Sequence, residues 1–481
     1  MTVLEDISQD CALPIGDDWV RTETIDTIRL PYDGSPVAKV AQGNAELVER
    51  AVNAARGAAK ELENWTNFQR AELLDRIASL LRRDHASFAS AISLETGKPI
   101  AEARIEVDRS LQTLLLSSIV ARELHGEVVP IDGAPIGAGR MAMTVRQPVG
   151  VIGIITPFNV PLNLALHKLG PALAGGNAVV HKPAEQTPLS ALKLAAIVRE
   201  AGAPSGTYNV VTGPGSVVGR ALVECPDVDM ITFTGSVATG RTIRASAGLK
   251  KVTLELGGNS AVIIEPDADL DSAVARIVQG GYGFSGQICI SVQRVYVHES
   301  VADEFSRKLV TAVGNLRVGH PANDTTQIAS LISEEAAQRV ESWTSAAASA
   351  GAKVLLGGNR TNSTIQPGVL ADVPEDSTFM QSELFGPLVG VNRYSGLDEA
   401  IERVNGTPYG LQAGIYTQHF EHAFRAARKL RVGGVLINDV PTFRADNMPY
   451  GGTKSSGLGR EGPRYAVEEM TEPKLICWRT T

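Results

Sequence analysis

Three side chains in this 481-residue sequence are of the types that acyl chemistry at a thiol requires. Such chemistry needs a nucleophile, a base that can handle a proton, and a donor that can hold an oxyanion. Cys289, one of only four cysteines, lies in the small-residue loop "GFSGQICIS" at residues 283–291. Glu255 lies 34 residues upstream in "LELGGNS", and Asn159 lies in "TPFNVP". Both sit at the carboxyl ends of strand-length apolar runs, where open α/β sheets carry their ligands. A scattered cysteine is ordinarily a small buried hydrophobe, and Cys11, Cys225 and Cys477 read that way. Cys289 reads as a nucleophile, with Gly286, Ser285 and Ser291 expected to leave room around the sulfur.

Those residues must be positioned by the surrounding elements. From about Glu46 to Arg122, "AELVERAVNAARGAAKEL", "RAELLDRIASLLRRDHASFASAISLETGKP" and "EARIEVDRSLQTLLLSSIVARELHGE" place apolar residues three and four apart, which predicts long amphipathic helices. Beyond Arg146 the texture changes to short apolar runs bounded by Gly or Pro: "GVIGII", "NAVVHKP", "YNVVTG", "DMITFTG" and "KVTLELGG". Each of the first four precedes a candidate helix, the signature of parallel βαβ units. Residues 148–255 therefore read as a doubly wound dinucleotide domain, although no GxGxxG follows any strand. In its place stands "FTGSVATG", residues 233–240, where Gly235 permits a tight turn and Ser236 can start a helix whose N-terminus holds a pyrophosphate. A second α/β block spans about 259–440, with strands at "AVIIEP", "QRVYVH", "AKVLLGG" and "GGVLIND".

Composition removes several classes of function. The net charge is −8 and no Lys/Arg cluster exceeds "LRRDH", so there is no electrostatic footprint for nucleic acid or an anionic membrane. The start "MTVLEDISQDCALPIGDD" is acidic and lacks an apolar core, unlike a signal peptide. The longest uncharged apolar stretch, Val149 to Leu166, contains Thr156, Pro157, Asn159, Pro161 and Asn163, which a lipid-facing helix tolerates poorly. The cysteines show no CxxC and no zinc spacing. The expectation is a cytoplasmic protein with reduced thiols and no metal.

The blocks "TPFNVP", "HKPAEQTP", "FTGSVATG", "LELGGNS", "GQICIS", "ELFGP", "NGTPYGLQAG" and "PYGGTKSSGLGRE", in that order, make the chain resemble the aldehyde dehydrogenase superfamily over essentially its whole length. The resemblance implies an α/β fold in three parts. A Rossmann-type NAD-binding domain would take residues 1–123 and 148–254, and an α/β catalytic domain residues 255–452. A small β oligomerisation element with the C-terminal segment would take 124–147 and 453–481. Its strands, near "GEVVPIDGAPIGAGRMAMTVRQ" and "PKLICWRT", invite pairing across subunits into dimers or tetramers.

The same resemblance implies that Cys289 attacks an aldehyde carbonyl, that the Asn159 amide and the Cys289 N–H hold the oxyanion, and that Glu255 activates the water that cleaves the thioester. Cofactor contacts are implied at Thr156, Pro157, Lys182, Glu185, Gly215, Gly235, Ser236, Leu256, Glu383 and Phe385. The plainer alternatives are a solvated Lys182–Glu185 ion pair, a helix-capping Glu383 and a core Phe385. Glu185 favours NAD, because it would meet the 2′-phosphate of NADP with like-charge repulsion, although Lys182 offsets part of this. Glu461 of "GRE" is a rival acid, read as a structural or relay carboxylate, and Arg294 as a fold-stabilising ion-pair residue. The eight histidines receive no chemistry.

Phe158 and Phe443 are expected to line the aldehyde pocket. Arg444 would anchor a terminal anion there, or else pair with Asp446 or Asp439 and only hold its loop. The expected substrate is a short oxygenated or anionic aldehyde of the lactaldehyde, glyceraldehyde 3-phosphate, succinate semialdehyde or phosphonoacetaldehyde type. The rival readings are a CoA-acylating enzyme, against which Glu255 argues, and a catalytically silent homologue.

Overall fold

The strand Val151–Ile155, VIGII, shows how the first sheet is built: every residue is buried, so the run is apolar throughout rather than alternating. Ile152 and Ile154 face one core with the helices Asn67–Arg83, Ile100–Glu123, Pro161–Gly175 and Leu189–Glu200. Val151 and Ile155 face the other, against the helix Ala45–Glu63. The computed structural model describes residues 11–480. The expected absence of a leader at the start of the chain, and the outer bounds of the expected domains at residues 1 and 481, therefore lie outside the described residues.

The first sheet runs Gly457–Leu458, Lys251–Glu255, Met230–Thr234, Val151–Ile155, Ala178–Lys182, Tyr208–Val210. All neighbours are parallel except the Gly457–Leu458 edge. The second is seven-stranded, in the order Lys353–Leu356, Gly368–Ala371, Leu388–Tyr394, Val292–His298, Ser260–Ile264, Gln412–Tyr416, Gly434–Ile437. Alternate residues again divide between two cores: Ala261 and Ile263 to one, Val262 and Ile264 to the other. The third sheet is an antiparallel ribbon of Val128–Val129, Arg140–Pro148 and Thr471–Arg479, the last two paired over their full length. Within the C-terminal segment, Gly457–Leu458 and the helix Pro463–Glu469 pack on the first sheet and its helices.

Several elements differ from the sequence expectation. The stretch 70–99 is two helices, Asn67–Arg83 and His85–Thr96, broken at Asp84, whose φ of −98° and ψ of 16° lie outside the helical well. Gly97, at φ 73°, closes the second helix, as an αL C-cap does. The N-terminal hairpins 13–20 and 25–41, the strands 368–371, 388–394 and 412–416, and the helices 270–282 and 334–349 have no counterpart in the sequence expectation. Two of those three strands contain an interior glycine.

Candidate active site

The loop bearing Cys289 enters through two non-glycine residues in the left-handed region, Phe284 at φ 45° and Ser285 at φ 53°. Such backbone costs of order 1–3 kcal/mol per residue and persists only where its surroundings hold it. Here Glu102, from the helix Ile100–Glu123, accepts the Phe284 N–H at 2.7 Å. Ser285 Oγ donates to the Ala329 carbonyl at 3.0 Å and accepts from the Ala329 N–H at 3.2 Å. Gly286 has φ 75°, and a Cβ on it would lie 2.1 Å from the Gly386 carbonyl oxygen. The small residues were expected to clear space around the sulfur. Gly286 and Ser291 line a cleft beside the loop, and the small residues also let backbones meet, Ser291 Oγ donating to the Gly280 and Gly281 carbonyls. Gly258 serves Cys289 in the same way, since a Cβ there would be 2.2 Å from the Cys289 carbonyl oxygen.

Cys289 Sγ lies 2.9 Å from the Tyr450 hydroxyl. Burial pushes the thiol up to about 12; the Tyr450 hydrogen bond and Arg444 oppose this, whereas Glu383 and Glu255 add to it. Asn159 is buried, and its Nδ2 donates to the Gln287 carbonyl at 2.8 Å, two residues before the nucleophile. That contact uses one of the two amide donors. The helix that follows Asn159 starts at Pro161, and Glu106 accepts its Leu162 and Asn163 N–H groups at 3.0 and 3.3 Å. Lys98 pairs with Glu106, and its Nζ lies 4.5 Å over the Phe284 ring. One buried cation thus ties the Asn159 segment to the Cys289 loop.

Glu255 ends its strand and is 4 % exposed, with Oε2 lacking any hydrogen-bond partner among the described residues. Burial, then the charge of Glu461, raise its carboxyl well above the ordinary value, while Lys168, Arg444 and Arg460 pull it down. Burial acts on Glu461 in the same sense, but Lys168 and Arg444 overcome it and hold that carboxyl below its ordinary value. Lys168 Nζ donates to Glu461 and, at 2.7 Å, to Thr234 Oγ1. The structural reading of Glu461 thus gains two named cations.

Arg444 is buried, donates from Nη2 to Glu461 at 2.9 Å, and places its guanidinium carbon 3.7 Å from the centre of the Tyr450 ring. The alternative pairing with Asp446 or Asp439 does not occur. Asp446 binds Arg109 and His167, and Asp439 binds Arg276. Phe158 meets Phe385 edge to face, ring centres 5.9 Å apart, while Phe443 is 45 % exposed. Arg294 also differs from expectation. It is buried and makes no ion pair among the described residues, donating to the carbonyls of Asn259, Arg403 and Val404.

A crevice of about 1060 Å³ opens at the carboxyl ends of the first sheet, lined by Thr156, Pro157, Lys182, Glu185, Gly215, Gly235 and Ser236 among others. Its size lies at the upper end for small-molecule sites and suits a dinucleotide. Glu185 Oε1 accepts the Gly215 N–H at 2.9 Å and faces Lys182 Nζ at 3.8 Å. Ser236 caps the helix Val237–Ser246, accepting the Thr239 N–H at 3.2 Å. Gly235 forms the tight turn expected, with only Gly235 and Ser236 between the strand Met230–Thr234 and the helix Val237–Ser246, and does so without a left-handed conformation. Its missing Cβ instead makes way for Phe233, whose ring would lie 2.4 Å from that atom. Leu256 is buried against Gly240. Glu383 and Phe385 line a separate cleft with Gly258 and Gly286. Glu383 accepts the Gly258 N–H at 3.0 Å and caps no helix, and burial lifts it to about 7. Among the described residues no His, Cys, Asp and Glu cluster could hold a metal ion, and no helix is long and apolar enough to cross a membrane.

Tyr450 and Lys168 escaped sequence reasoning. Tyr450 stood in plain view in "PYGG", but a tyrosine before two glycines carries no signal of a distant thiol. Lys168 in "LHKLG" reads as one face of a helix.

Comparison with known proteins adds the following. The family model described as the aldehyde dehydrogenase family matches residues 19–476. A 3-sulfolactaldehyde dehydrogenase of Priestia aryabhattai is 45 % identical over 476 residues, covering 99 % of each chain. The crystal structure of aldehyde dehydrogenase 21 from Physcomitrella patens, in complex with its reaction product succinate, superposes with TM-score 0.96 at 36 % identity over 98 % of this chain and 99 % of that one. A glyceraldehyde-3-phosphate dehydrogenase from Methanocaldococcus jannaschii complexed with NADP gives TM-score 0.92 at 39 % identity over 95 % of this chain and 100 % of that one.

Proposed function

The chain belongs to the aldehyde dehydrogenase family, and from that premise we propose that Cys289, Asn159 and Glu255 oxidise a short aldehyde with an anionic terminus to its carboxylate. NAD(P)-dependent oxidation of small aldehydes is the activity of the chain, and the crevice residues fit the dinucleotide. The observation carrying the role assignments is that Asn159 is hydrogen-bonded into the Cys289 loop while Glu255 acts electrostatically on the same thiol.

Cys289 Sγ attacks the carbonyl carbon, and the resulting oxyanion accepts from the remaining Asn159 N–H and the Cys289 N–H. Hydride acceptance is the chemistry the dinucleotide supplies when bound. The acyl group is left as a thioester on Sγ. Glu255 then takes a proton from the water that attacks this thioester, and a carboxyl raised by burial is the stronger base once ionised. Water rather than CoA is the acceptor because this carboxylate is present. Phe158 and Phe443 wall the aldehyde.

The names of the relatives support the anionic terminus: sulfolactaldehyde, glyceraldehyde 3-phosphate and succinate each end in a sulfonate, phosphate or carboxylate. Arg444 contributes positive charge beside the thiol, and its Nη2 bond to Glu461 supports a role in holding the site while leaving its other donors for the anion. NAD is preferred over NADP, on account of Glu185. Copies of the chain associate through the ribbon, where Leu475, Ile476 and Trp478 expose apolar surface. None of the four cysteines forms a disulfide, which suits a reducing cytoplasm.

The test is a rate comparison with NAD across propanal, succinate semialdehyde, glyceraldehyde 3-phosphate, phosphonoacetaldehyde and sulfolactaldehyde. At least one anionic aldehyde should exceed propanal tenfold or more in kcat/KM. Parity with propanal overturns the anionic terminus, and no turnover of any aldehyde overturns the catalytic assignment.

A further inference from the structure

The nucleophile has a neighbour that the roles above leave unused. The Tyr450 hydroxyl lies 2.9 Å from Cys289 Sγ. The tyrosine is 2 % exposed, and its backbone is locked to Glu461 by reciprocal N–H to carbonyl bonds of 3.0 and 2.7 Å. Its ring lies beneath the Arg444 guanidinium at 3.7 Å, within cation–π range. The tyrosine is therefore held by its backbone and by Arg444 on its ring, and its one polar side-chain atom meets the sulfur.

We propose that Tyr450 is a catalytic residue whose hydroxyl donates a hydrogen bond to the Cys289 thiolate and so sets how much of the nucleophile is ionised, with Arg444 as the positioning residue stacked on its ring. This rests on the reading of Cys289 as the nucleophile. The charged and titratable groups acting on the sulfur are Tyr450, Glu383, Arg444 and Glu255. The two carboxylates oppose a thiolate, and Arg444 bears on it from behind the tyrosine. Among the described residues Tyr450 alone is hydrogen-bonded to the sulfur. Burial keeps its phenol protonated far into the alkaline range, with Arg444 pulling the other way, so towards a thiolate it acts as a donor. On ionisation the thiol proton leaves to solvent, and Tyr450 keeps its own.

A donor to an ionised group is stronger than a neutral one, and a shift of about one pKa unit in the thiol is the expected scale. A thiolate made less basic is also less nucleophilic, by roughly threefold per unit, so a tenfold larger thiolate fraction leaves a net gain of about threefold below the thiol pKa.

The experiment is the pH dependence of Cys289 alkylation by iodoacetamide in the full-length protein without substrate, followed on the Cys289 peptide by mass spectrometry so that Cys11, Cys225 and Cys477 do not contribute. Tyr450→Phe keeps the ring beneath Arg444 and removes only the hydroxyl. Its alkylation profile should move to higher pH by about one unit, with the rate at neutral pH falling about threefold. A profile superimposable on the wild type overturns the proposal. A shift to lower pH also does, because the hydroxyl would then be an acceptor that holds the thiol protonated. Arg444→Met, which leaves the hydroxyl but frees the ring, should shift the profile in the same direction as Tyr450→Phe, and no shift would remove Arg444 from the device. Because the readout needs no turnover, failure here is separable from failure of the nucleophile assignment, which Cys289→Ala tests by loss of oxidation.

Discussion

Glu255 and Glu461 occupy one buried region and both feel Lys168 and Arg444, but the two cations are hydrogen-bonded to Glu461 alone, and Glu255 Oε2 has no hydrogen-bond partner among the described residues. Two carboxylates that interact in a low-dielectric site do not ionise equally, and the less well paired one keeps its proton. Glu461 is thereby held the more acidic of the two and Glu255 the less acidic, which sets the direction in which the site should respond to change.

Replacing Lys168 with Met should act on both stability and pH dependence. Breaking a buried ion pair and leaving one charge uncompensated costs about 3–5 kcal/mol, read as a lower urea midpoint. Glu461 is depressed in the folded state, so the stability it contributes is complete above its ordinary value of 4.5 and is lost as the pH falls through its folded value. Glu255 is raised, so the hydrolytic step gains as the pH rises. Loss of a cation that lowers it should move that limb of the kcat profile to higher pH, and an unmoved limb would detach Glu255 from the network.

Glu255→Gln should separate the two halves of the reaction. Thioester formation does not need the carboxylate, so stopped-flow absorbance should show a burst of reduced cofactor followed by a slow steady state. Full steady-state turnover in this variant would assign the base elsewhere.

For Asn159→Ala the expectation is a fall of about 3 kcal/mol in transition-state stabilisation, on the order of a hundredfold in kcat, the usual cost of one oxyanion donor. Because Asn159 Nδ2 also donates to the Gln287 carbonyl, Asn159→Asp is the sharper control. It keeps the shape, removes the donor, and should be no more active.

Cofactor choice turns on Glu185. Wild-type protein should show higher kcat/KM with NAD than with NADP, and Glu185→Gln, which still offers an oxygen to the Gly215 N–H, should narrow the gap by raising NADP efficiency. A gap that widens would mean that Glu185 does not face the 2′-phosphate.

The ribbon strand Thr471–Arg479 leaves Leu475 at 57 %, Ile476 at 41 % and Trp478 at 39 % exposure. If copies meet there, Ile476→Asp should dissociate them to monomers in sedimentation velocity while leaving the Arg140–Pro148 pairing intact. Unchanged sedimentation would move the interface away from the ribbon.

Much of the fold is legible in the sequence because its signals are local. "GVIGII" and "DMITFTG" are strands because strand-length apolar runs bounded by Gly are buried on both faces, and Ser236 caps a helix because its side chain reaches the Thr239 N–H. The break at Asp84 was not legible, since the helix His85–Thr96 is buried on most sides and has little apolar period of its own to mark a new start. The small residues around Cys289 were legible as a tight loop but not in purpose. What Gly286 makes room for is the Gly386 carbonyl, 100 residues away in the chain.

The sequence by itself determined the sheet runs, the nucleophile loop and the strand-end positions of Glu255 and Asn159, because periodicity, turn residues and caps act over a few neighbours. Only the tertiary structure decided which carboxylate is the more acidic, what Arg444 binds and what touches the thiol. Those outcomes are through-space pairings between distant positions, Cys289 with Tyr450 at 161 residues and Lys168 with Glu461 at 293. Their energies depend on burial and on every charge within a few ångströms, quantities that exist only once the sheets and loops have closed around them.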